Sequence, residues 1–270
     1  MNLRLLLIVA ILGAACAHAS NPTSSESPTS SEPSALPSGG ARCSDPGTPA
    51  ETFWFRATDG TRLDGAMLGS GTAGVVLAHQ YPADLCGWWP YAAVLARKGF
   101  RVLLFDFRCF GLSTCPTDAN GDLTDDLTGA VAELRRRGAT SVALLGASLG
   151  ATVSLMTAPT LTPTPDAVVS LSGEPDLGYL VGSTRLDAMA SVGRLSSPVL
   201  FVVARGDLAV SVKETRSMFR AAGASDKRLV VLPSAYGLGW NMVIDIRSNT
   251  TPASRTVLAF LRQHLMRPGG

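Results

Sequence analysis

The stretch that decides the fold is Gly146-Ala147-Ser148-Leu149-Gly150. It directly follows the apolar run 142–145 and opens a segment suited to a helix, 151–157. The pattern G-x-S-x-G between a strand and a helix is typical of a sharp turn that exposes the serine hydroxyl above the carboxyl edge of a sheet. The two glycines let the strand and the helix approach the turn without collision. Ser148 is therefore a candidate nucleophile; the alternative is an ordinary serine in a glycine-rich turn.

Around this turn, short apolar runs alternate with helical segments. Residues 51–57 and 61–68 alternate apolar and polar side chains on either side of Asp59-Gly60, which predicts an antiparallel hairpin. Continuous apolar runs follow at 74–78, 101–105, 142–145, 167–171, 199–203 and 228–232, with helical candidates at 88–98, 123–137, 149–157, 212–222 and 252–266. We therefore expect an α/β protein with a mostly parallel, eight-stranded, doubly wound sheet and helices on both faces. The one long connection, 174–197, is too short for a large lid domain.

The composition of the chain indicates its domain size and limits its expected partners. The chain has 270 residues, of which 46% are hydrophobic and 16% charged, so it can fill the core of one domain of roughly 220 residues with appendages. The net charge of +2 provides neither a basic face nor an acidic tail, so nucleic acid is not an expected partner.

The N-terminus has the features of an export signal. Arg4, the apolar run 5–12 and the cleavage pattern Ala17-His18-Ala19 predict a signal peptide over residues 1–19. A competing interpretation makes Cys16 a lipid-bearing cysteine, and hence a membrane tether, because residues 12–16 resemble a bacterial lipobox. Leu12 stands one place too far upstream for that motif. Either interpretation places the protein outside the cytoplasm, secreted or at the cell surface.

Residues 20–42 are rich in Ser, Thr and Pro. Such a stretch cannot bury enough apolar surface to offset the entropy of ordering, which predicts a disordered tether. The folded domain is then expected over residues 43–270. A tether of this kind suits a cell-surface protein as well as a secreted one.

Four cysteines remain if cleavage follows residue 19. They are Cys43, Cys86, Cys109 and Cys115. An even count in an exported chain favours two disulfides. Pairing Cys109 with Cys115 closes a short ring worth about 2 kcal/mol and leaves Cys43 for Cys86. The rival pairing of Cys86 with Cys109 stays open.

These motifs and their order resemble the α/β-hydrolase superfamily, especially small single-domain bacterial members of the dienelactone-hydrolase and serine-aminopeptidase type. The resemblance covers about residues 52–265 and implies an α/β-hydrolase fold. Residues 204–210, Ala-Arg-Gly-Asp-Leu-Ala-Val, match the acid loop of that family, A-x-x-D-x-x-V. Asp207 is thereby implied as a buried triad acid. The alternative is a turn aspartate that caps the following helix.

Residues 75–80, Val-Val-Leu-Ala-His-Gln, match the strand that ends in a His-Gly pair in the family. The resemblance implies an oxyanion hole made by the N–H of Leu149 together with that of Gln80 or Tyr81. Gln80 stands where the family usually has glycine. We interpret His79 as a residue that holds this loop through a ring hydrogen bond, without a role in the chemistry.

The histidine of the triad is missing. The family places it in the loop after the last strand, where this chain has Tyr236, or Leu238 in a register two residues later. The three histidines are elsewhere: His18 in the predicted signal peptide, His79 in the oxyanion loop and His264 in the last helix, where we expect it to face solvent. Tyrosine is a poor base because, with a pKa near 10, only about a thousandth is ionised at neutral pH. Losing the histidine alone can cost roughly 10⁶ in turnover.

Two functions follow from these residues. The first is an exported serine hydrolase that cleaves an ester or small acyl bond, with Ser148 as nucleophile, Asp207 as acid and a degenerate base at Tyr236; one inactivating change at Tyr236 is a variant of this hypothesis. The second is a catalytically silent member of the fold that binds a small apolar ligand or a partner protein. Its candidate surface is an aromatic rim of Tyr81, Trp88, Trp89, Tyr236 and Trp240. We expect a monomer, without a cofactor or a metal.

Overall fold

The computed structural model describes Cys43 and residues 48–117, 121–245, 247 and 249–266. The chain separates into two units, Met1–Leu36 and Pro37–Gly270, and all described residues belong to the second. The predicted signal peptide, the candidate lipid site Cys16 and the tether at 20–42 lie outside the described residues. Within the described ranges, no helix combines the length and the hydropathy that a membrane span requires.

The centre of the domain is an eight-stranded sheet beside a small two-stranded one. The strands are β1 Ala50–Arg56, β2 Arg62–Leu68, β3 Ala73–Ala78, β4 Arg101–Phe105, β5 Ser141–Ala147, β6 Ala167–Leu171, β7 Asp176–Gly178, β8 Leu186–Asp187, β9 Val199–Ala204 and β10 Lys227–Leu232. The large sheet has the order β1-β2-β4-β3-β5-β6-β9-β10, and β7 pairs with β8. Strand β2 pairs antiparallel with β1 and β4, whereas the other neighbours in the large sheet are parallel. The predicted mostly parallel, eight-stranded sheet is confirmed.

Helices cover both faces of this sheet. They are α1 Trp89–Arg97, α2 Leu123–Arg136, α3 Leu149–Thr157, α4 Met189–Val192, α5 Val212–Ala221 and α6 Pro252–Leu265. Helices α1 and α6 contribute to one hydrophobic cluster, and α2, α3 and α5 to the other. Helix α2 begins with a capping box, in which the carboxylates of Asp122 and Asp125 each accept from the other residue's N–H. Two cores separated by one sheet are the doubly wound arrangement that the sequence predicts.

The long connection after β6 is a small flap and not a lid domain. It contains the β7–β8 pair and α4, and these elements contact α3. The flap therefore lies beside the helix that opens at Ser148.

The cysteines form the two disulfides that the shorter-ring pairing predicts. Cys43 is joined to Cys86, and Cys109 to Cys115. The rival bond between Cys86 and Cys109 is therefore not formed. The first disulfide links positions 43 residues apart, whereas the second closes a separation of 6.

Candidate functional site

Ser148 occupies the junction between β5 and α3 in a strained conformation. Its φ of +47° and ψ of −113° lie in a region that non-glycine residues seldom adopt. Hydrogen bonds hold it there. Its N–H donates to the carbonyl of Leu171 at 2.8 Å, and its own carbonyl accepts from Ala151 and Thr152 at 2.9 and 3.0 Å. Although Ser148 is only 8% exposed, the turn has the strained strand-to-helix backbone geometry that the G-x-S-x-G pattern predicts.

The two flanking glycines are required by close approach of the backbone. A Cβ atom on Gly146 would lie 2.2 Å from the carbonyl oxygen of Gly150. A Cβ atom on Gly150 would lie 2.2 Å from the carbonyl oxygen of Ala78 in β3. Any side chain at either position would push α3 away from the sheet, so the pattern G-x-S-x-G has a steric cause in this fold.

Ser148 opens into a mostly apolar cavity of about 270 Å³. The cavity is lined by Tyr81, Ser148, Leu149, Glu174, Leu177, Leu180, Leu208, Ala209 and Leu238. A larger hollow of about 640 Å³ lies beside His264 and Asp166 at the amino ends of the strands. Ligands of parallel α/β sheets bind at the carboxyl ends of the strands, so the smaller cavity is the candidate site.

Leu149 and Tyr81 are the two predicted oxyanion residues that line this cavity. Leu149 is the first residue of α3, so its N–H has no acceptor within the helix. The side chain of Gln80 turns instead toward the loop after β10, where its Oε1 accepts from the N–H of Trp240 at 3.4 Å. The geometry thus provides at least one backbone donor beside the serine.

His79 is buried, and both of its ring nitrogens are engaged. The N–H of Phe107 donates to Nε2 at 3.0 Å, so the proton of the neutral ring is on Nδ1, which donates to the carbonyl of Gln80 at 3.0 Å. Burial lowers the pKa of His79 and favours this neutral form. A ring fixed in this way holds the loop and is not free to take a proton from Ser148.

His264 does not face solvent, and this prediction was wrong. Its side chain is only 13% exposed, its ring packs on Phe260 with centroids 4.6 Å apart, and its Nε2 lies 3.3 Å from the carboxylate of Asp226. Burial lowers the pKa of His264. The ring lines the hollow at the amino edge of the sheet, on the opposite side from Ser148.

Asp207 is half-buried, which corrects the expectation of a buried acid, and its carboxylate has hydrogen-bond partners. Its Oδ2 accepts from the hydroxyl of Ser172 at 2.7 Å. Its Oδ1 accepts from the N–H groups of Ala209 and Val210 at 2.9 and 3.3 Å. Helix α5 is capped by Ser211, so Asp207 does not cap it.

Ser172 is a residue of the site that sequence reasoning missed. It is buried, follows β6 and has a φ of +56°. Its hydroxyl donates to Asp207 and accepts from the N–H of Gly239 at 2.7 Å. Ser172 therefore links the acid loop to the loop after β10. Its position at the carboxyl end of a strand beside Ser148 was the only signal that could have found it.

The loop after β10 brings Leu238 to the cavity. Tyr236, which is partly buried, packs against the hydrophobic cluster that includes Met242 and is not among the described residues that line the cavity. The structure therefore does not bring Tyr236 together with Ser148. Of the two registers that the sequence allows, the later one faces the serine.

The aromatic rim is smaller than the sequence suggests. Trp88 and Trp89 are buried, and the indole N–H of Trp88 donates to the carbonyl of Ala78 at 2.9 Å. Trp240 packs edge-on against Trp88, with centroids 5.7 Å apart. Tyr81, which is 54% exposed, remains at the mouth of the cavity. The exposed apolar surface here consists mainly of Tyr81, Tyr179, Leu180 and Leu208.

No cluster of three or more His, Cys, Asp or Glu side chains suited to a metal ion occurs among the described residues. The polar side chains among the described residues that line the cavity are those of Tyr81, Ser148 and Glu174.

Comparisons with known proteins agree with this geometry. The model of the family described as alpha/beta hydrolase fold (Abhydrolase_1) matches residues 75–178. The protein YfhR of Escherichia coli strain K12, described as uncharacterized, is 27% identical in an alignment of 208 residues that covers 68% of this chain and 72% of YfhR.

Solved structures share the fold at low identity. The esterase Pf2001 of Pyrococcus furiosus has a TM-score of 0.67 and 17% identity, with 82% of this chain and 92% of that chain covered. The enol-lactonase of Burkholderia xenovorans LB400 has a TM-score of 0.61 and 18% identity, with 77% of this chain and 99% of that chain covered. The described part of the chain therefore has the α/β-hydrolase fold, and residues 75–178 match the sequence model of that family.

Proposed function

We propose that this chain is an exported serine hydrolase that cleaves small, uncharged carboxylic esters. Ser148 is the nucleophile, and the N–H of Leu149, together with that of Gln80 or Tyr81, stabilises the oxyanion. The observation that carries the proposal is the strained serine that lines an apolar cavity. The esterase Pf2001, which shares the fold, supports the same reaction class.

The size and lining of the cavity support a small ester. Its volume of about 270 Å³ corresponds to roughly nine water molecules at their liquid volume. Leu177, Leu208 and Leu238 give it apolar walls, which favour an uncharged acyl group because an unpaired charge is costly to desolvate. The two disulfides and the predicted signal peptide support an exported enzyme.

The direct test is whether fluorophosphonate labelling and ester hydrolysis depend on Ser148. An activity-based fluorophosphonate should label the protein, and p-nitrophenyl butyrate should be hydrolysed at a rate above the buffer blank; Ser148→Ala should lose both. Ser197→Ala is the matched control, because this buried serine precedes β9 at the opposite edge of the sheet. Equal labelling of the parent and Ser148→Ala would contradict the proposal.

A second candidate function is ligand binding without turnover. It is favoured by one observation: apolar Leu238, one of the two positions where the resemblance places the family's base, lines the cavity together with Ser148. In that case the parent binds a short fatty acid in isothermal titration but neither reacts with the fluorophosphonate nor hydrolyses the ester.

A further inference from the structure

One acidic residue that lines the cavity, Glu174, has no role in the triad interpretation. Glu174 is the one acidic residue among those that line the cavity with Ser148. The other ionisable residue there is Tyr81, a weak base because the ordinary pKa of tyrosine is about 10. His79 is excluded as a base by its two ring hydrogen bonds. Among the residues that line the cavity, Glu174 is therefore the one suited to accept the hydroxyl proton of Ser148.

The backbone of Glu174 is fixed to the helix that opens at Ser148. The hydroxyl of Thr152 accepts from the N–H of Glu174 at 2.9 Å and donates to its carbonyl at 3.0 Å. Thr152 lies one helical turn after Ser148, since its own N–H donates to the Ser148 carbonyl at 3.0 Å. Two hydrogen bonds from one side chain thus fix the backbone of Glu174 to the first turn of α3.

The start of the same connection is also fixed. Ser172, two residues before Glu174, is held by the Asp207 carboxylate and the N–H of Gly239. The stretch 172–174 is therefore bound at both ends, to the acid loop and to α3. Rigid placement of this kind is what a group that transfers protons requires.

We propose that Glu174 is the general base of this hydrolase, in place of the missing histidine; this inference rests on the proposed function of Ser148. In the first step the Glu174 carboxylate takes the hydroxyl proton of Ser148 while the Ser148 oxygen bonds to the ester carbonyl carbon. The carbonyl electron pair moves to the oxygen, which the backbone N–H groups stabilise.

The remaining steps return the proton and release both products. When the intermediate collapses, the ester C–O bond breaks and the leaving alkoxide takes the proton from Glu174. Water then adds to the acyl-enzyme carbonyl carbon as Glu174 takes one of its protons. The acyl bond to Ser148 breaks, and the serine oxygen recovers the proton from Glu174. The sum is ester plus water giving acid plus alcohol, without any further reactant.

The first test compares matched substitutions in the full chain. Glu174→Gln keeps the shape of the side chain and removes the base, so kcat for p-nitrophenyl butyrate should fall by about 10²-fold or more with KM little changed. Glu51→Gln is the control, since its carboxylate is 63% exposed and pairs with Arg137 away from the cavity. Both variants should keep the parent's melting temperature.

The pH dependence of kcat distinguishes a general base from a residue with only a structural role, because only the base changes the pH profile. A glutamate base has an ordinary pKa of about 4.3, against about 6.5 for histidine, so the parent's rate should rise with pH near the lower value and be level from pH 6 to 8. The ionisable groups on the surrounding elements are Tyr81 on the oxyanion loop, Asp207 on the acid loop, and Asp176, Arg185 and Asp187 on the flap; α3 contributes none.

Chemical rescue separates the base from any role in folding. Glu174→Ala should regain part of its lost rate in added sodium formate, whereas Ser148→Ala should not. A Glu174→Gln variant with parental kcat, or a Glu174→Ala variant that formate does not rescue, would overturn the assignment of Glu174 while leaving Ser148 as nucleophile. Absence of labelling and turnover in the parent would overturn both.

Discussion

Two serines with positive φ lie at the carboxyl edge of the sheet. Ser148 and Ser172 both follow the carboxyl ends of parallel strands, with φ of +47° and +56°. Each such conformation costs about 1–3 kcal/mol, and it persists only where the surroundings over-determine it. Around Ser148 the surroundings are backbone hydrogen bonds of the turn, whereas around Ser172 they are its side-chain bonds to Asp207 and Gly239. The first is a buried residue that lines the cavity, and the second links the loops beside it.

Placing a histidine at Leu238 should raise ester hydrolysis by about 10²-fold, because imidazole has a pKa near the working pH. Position 238 shares the cavity with Ser148 and with Ala209 of the acid loop, and Gly239 next to it is bonded through Ser172 to Asp207. Initial rates with p-nitrophenyl butyrate at pH 7.5 measure the gain.

Tyr236→His is the matched control for that gain. Because Tyr236 packs against the core and not in the cavity, its replacement should give little or no increase. Leu238→His combined with Ser148→Ala should return to the blank rate. A larger gain from Tyr236→His than from Leu238→His would show that the loop presents the earlier position to Ser148.

The sequence predicts some of the residues that line this cavity but not others, and the difference has a physical reason. The placement of Ser148 follows from a pattern with a steric cause, namely glycines at the two points of backbone contact. The choice between Tyr236 and Leu238 depends on a loop with two 3₁₀ turns and positive φ at Gly237 and Gly239. Such a loop has no periodicity from which a side-chain direction can be read. The sequence also does not show that Glu174 lines the cavity, because a single acidic residue in a connection is most often exposed to solvent.

Among the helices and strands, the predicted bounds agree with the structure to within about two residues. Buried parallel strands require continuous apolar runs, which mark their positions in the sequence. Helices α2 and α5 begin with capping boxes, so the sequence also marks where these helices start. Strands β7 and β8 and helix α4 were not predicted. They have three, two and four residues, too few to show a period.

Ser172→Ala should destabilise the domain by about 1–3 kcal/mol, because it leaves the buried N–H of Gly239 without its acceptor. Ser197→Ala is the matched variant: Ser197 is also buried, but its hydroxyl has no hydrogen-bond partner among the described residues. Its loss should change stability by less than about 0.5 kcal/mol. Urea unfolding of both variants, followed by circular dichroism, measures the difference. Equal midpoints for the two would show that the Ser172 link contributes nothing to stability.

Across the whole domain, ion pairs and a disulfide hold the loop after β4 at the carboxyl edge of the sheet. The guanidinium of Arg108, which follows β4, is buried and bonds to Asp126 of α2 at 2.6 Å and to Asp59 of the β1–β2 hairpin at 2.8 Å. Burial alone would lower the pKa of Arg108, but the hydrogen bonds to these two carboxylates raise it above its ordinary value, so the guanidinium stays charged. Cys109 begins its disulfide one residue later. The loop after β4 is therefore anchored to two other elements and to itself.

The bond between Cys43 and Cys86 should contribute to stability, whereas the residues before it should not. A chain that starts at Arg42 keeps both cysteines and loses only residues whose Ser-, Thr- and Pro-rich composition offers no core. Its unfolding free energy should equal that of the chain starting at Ser20. The double variant Cys43→Ser, Cys86→Ser should be less stable by up to about 4 kcal/mol, because chain entropy is no longer removed from an unfolded loop spanning 43 residues.

Urea unfolding of these three proteins under non-reducing conditions decides the point, with intact mass before and after alkylation to count free thiols. The shorter disulfide, which closes a separation of 6, has a smaller expected contribution of about 2 kcal/mol, so removing Cys109 and Cys115 provides a graded comparison. Loss of stability in the chain starting at Arg42 would mean that residues 20–41 pack on the domain. Full stability in the Cys43, Cys86 variant would mean that the segment before β1 is held by its packing, since Cys43 and Cys86 both pack against the core cluster that contains α1.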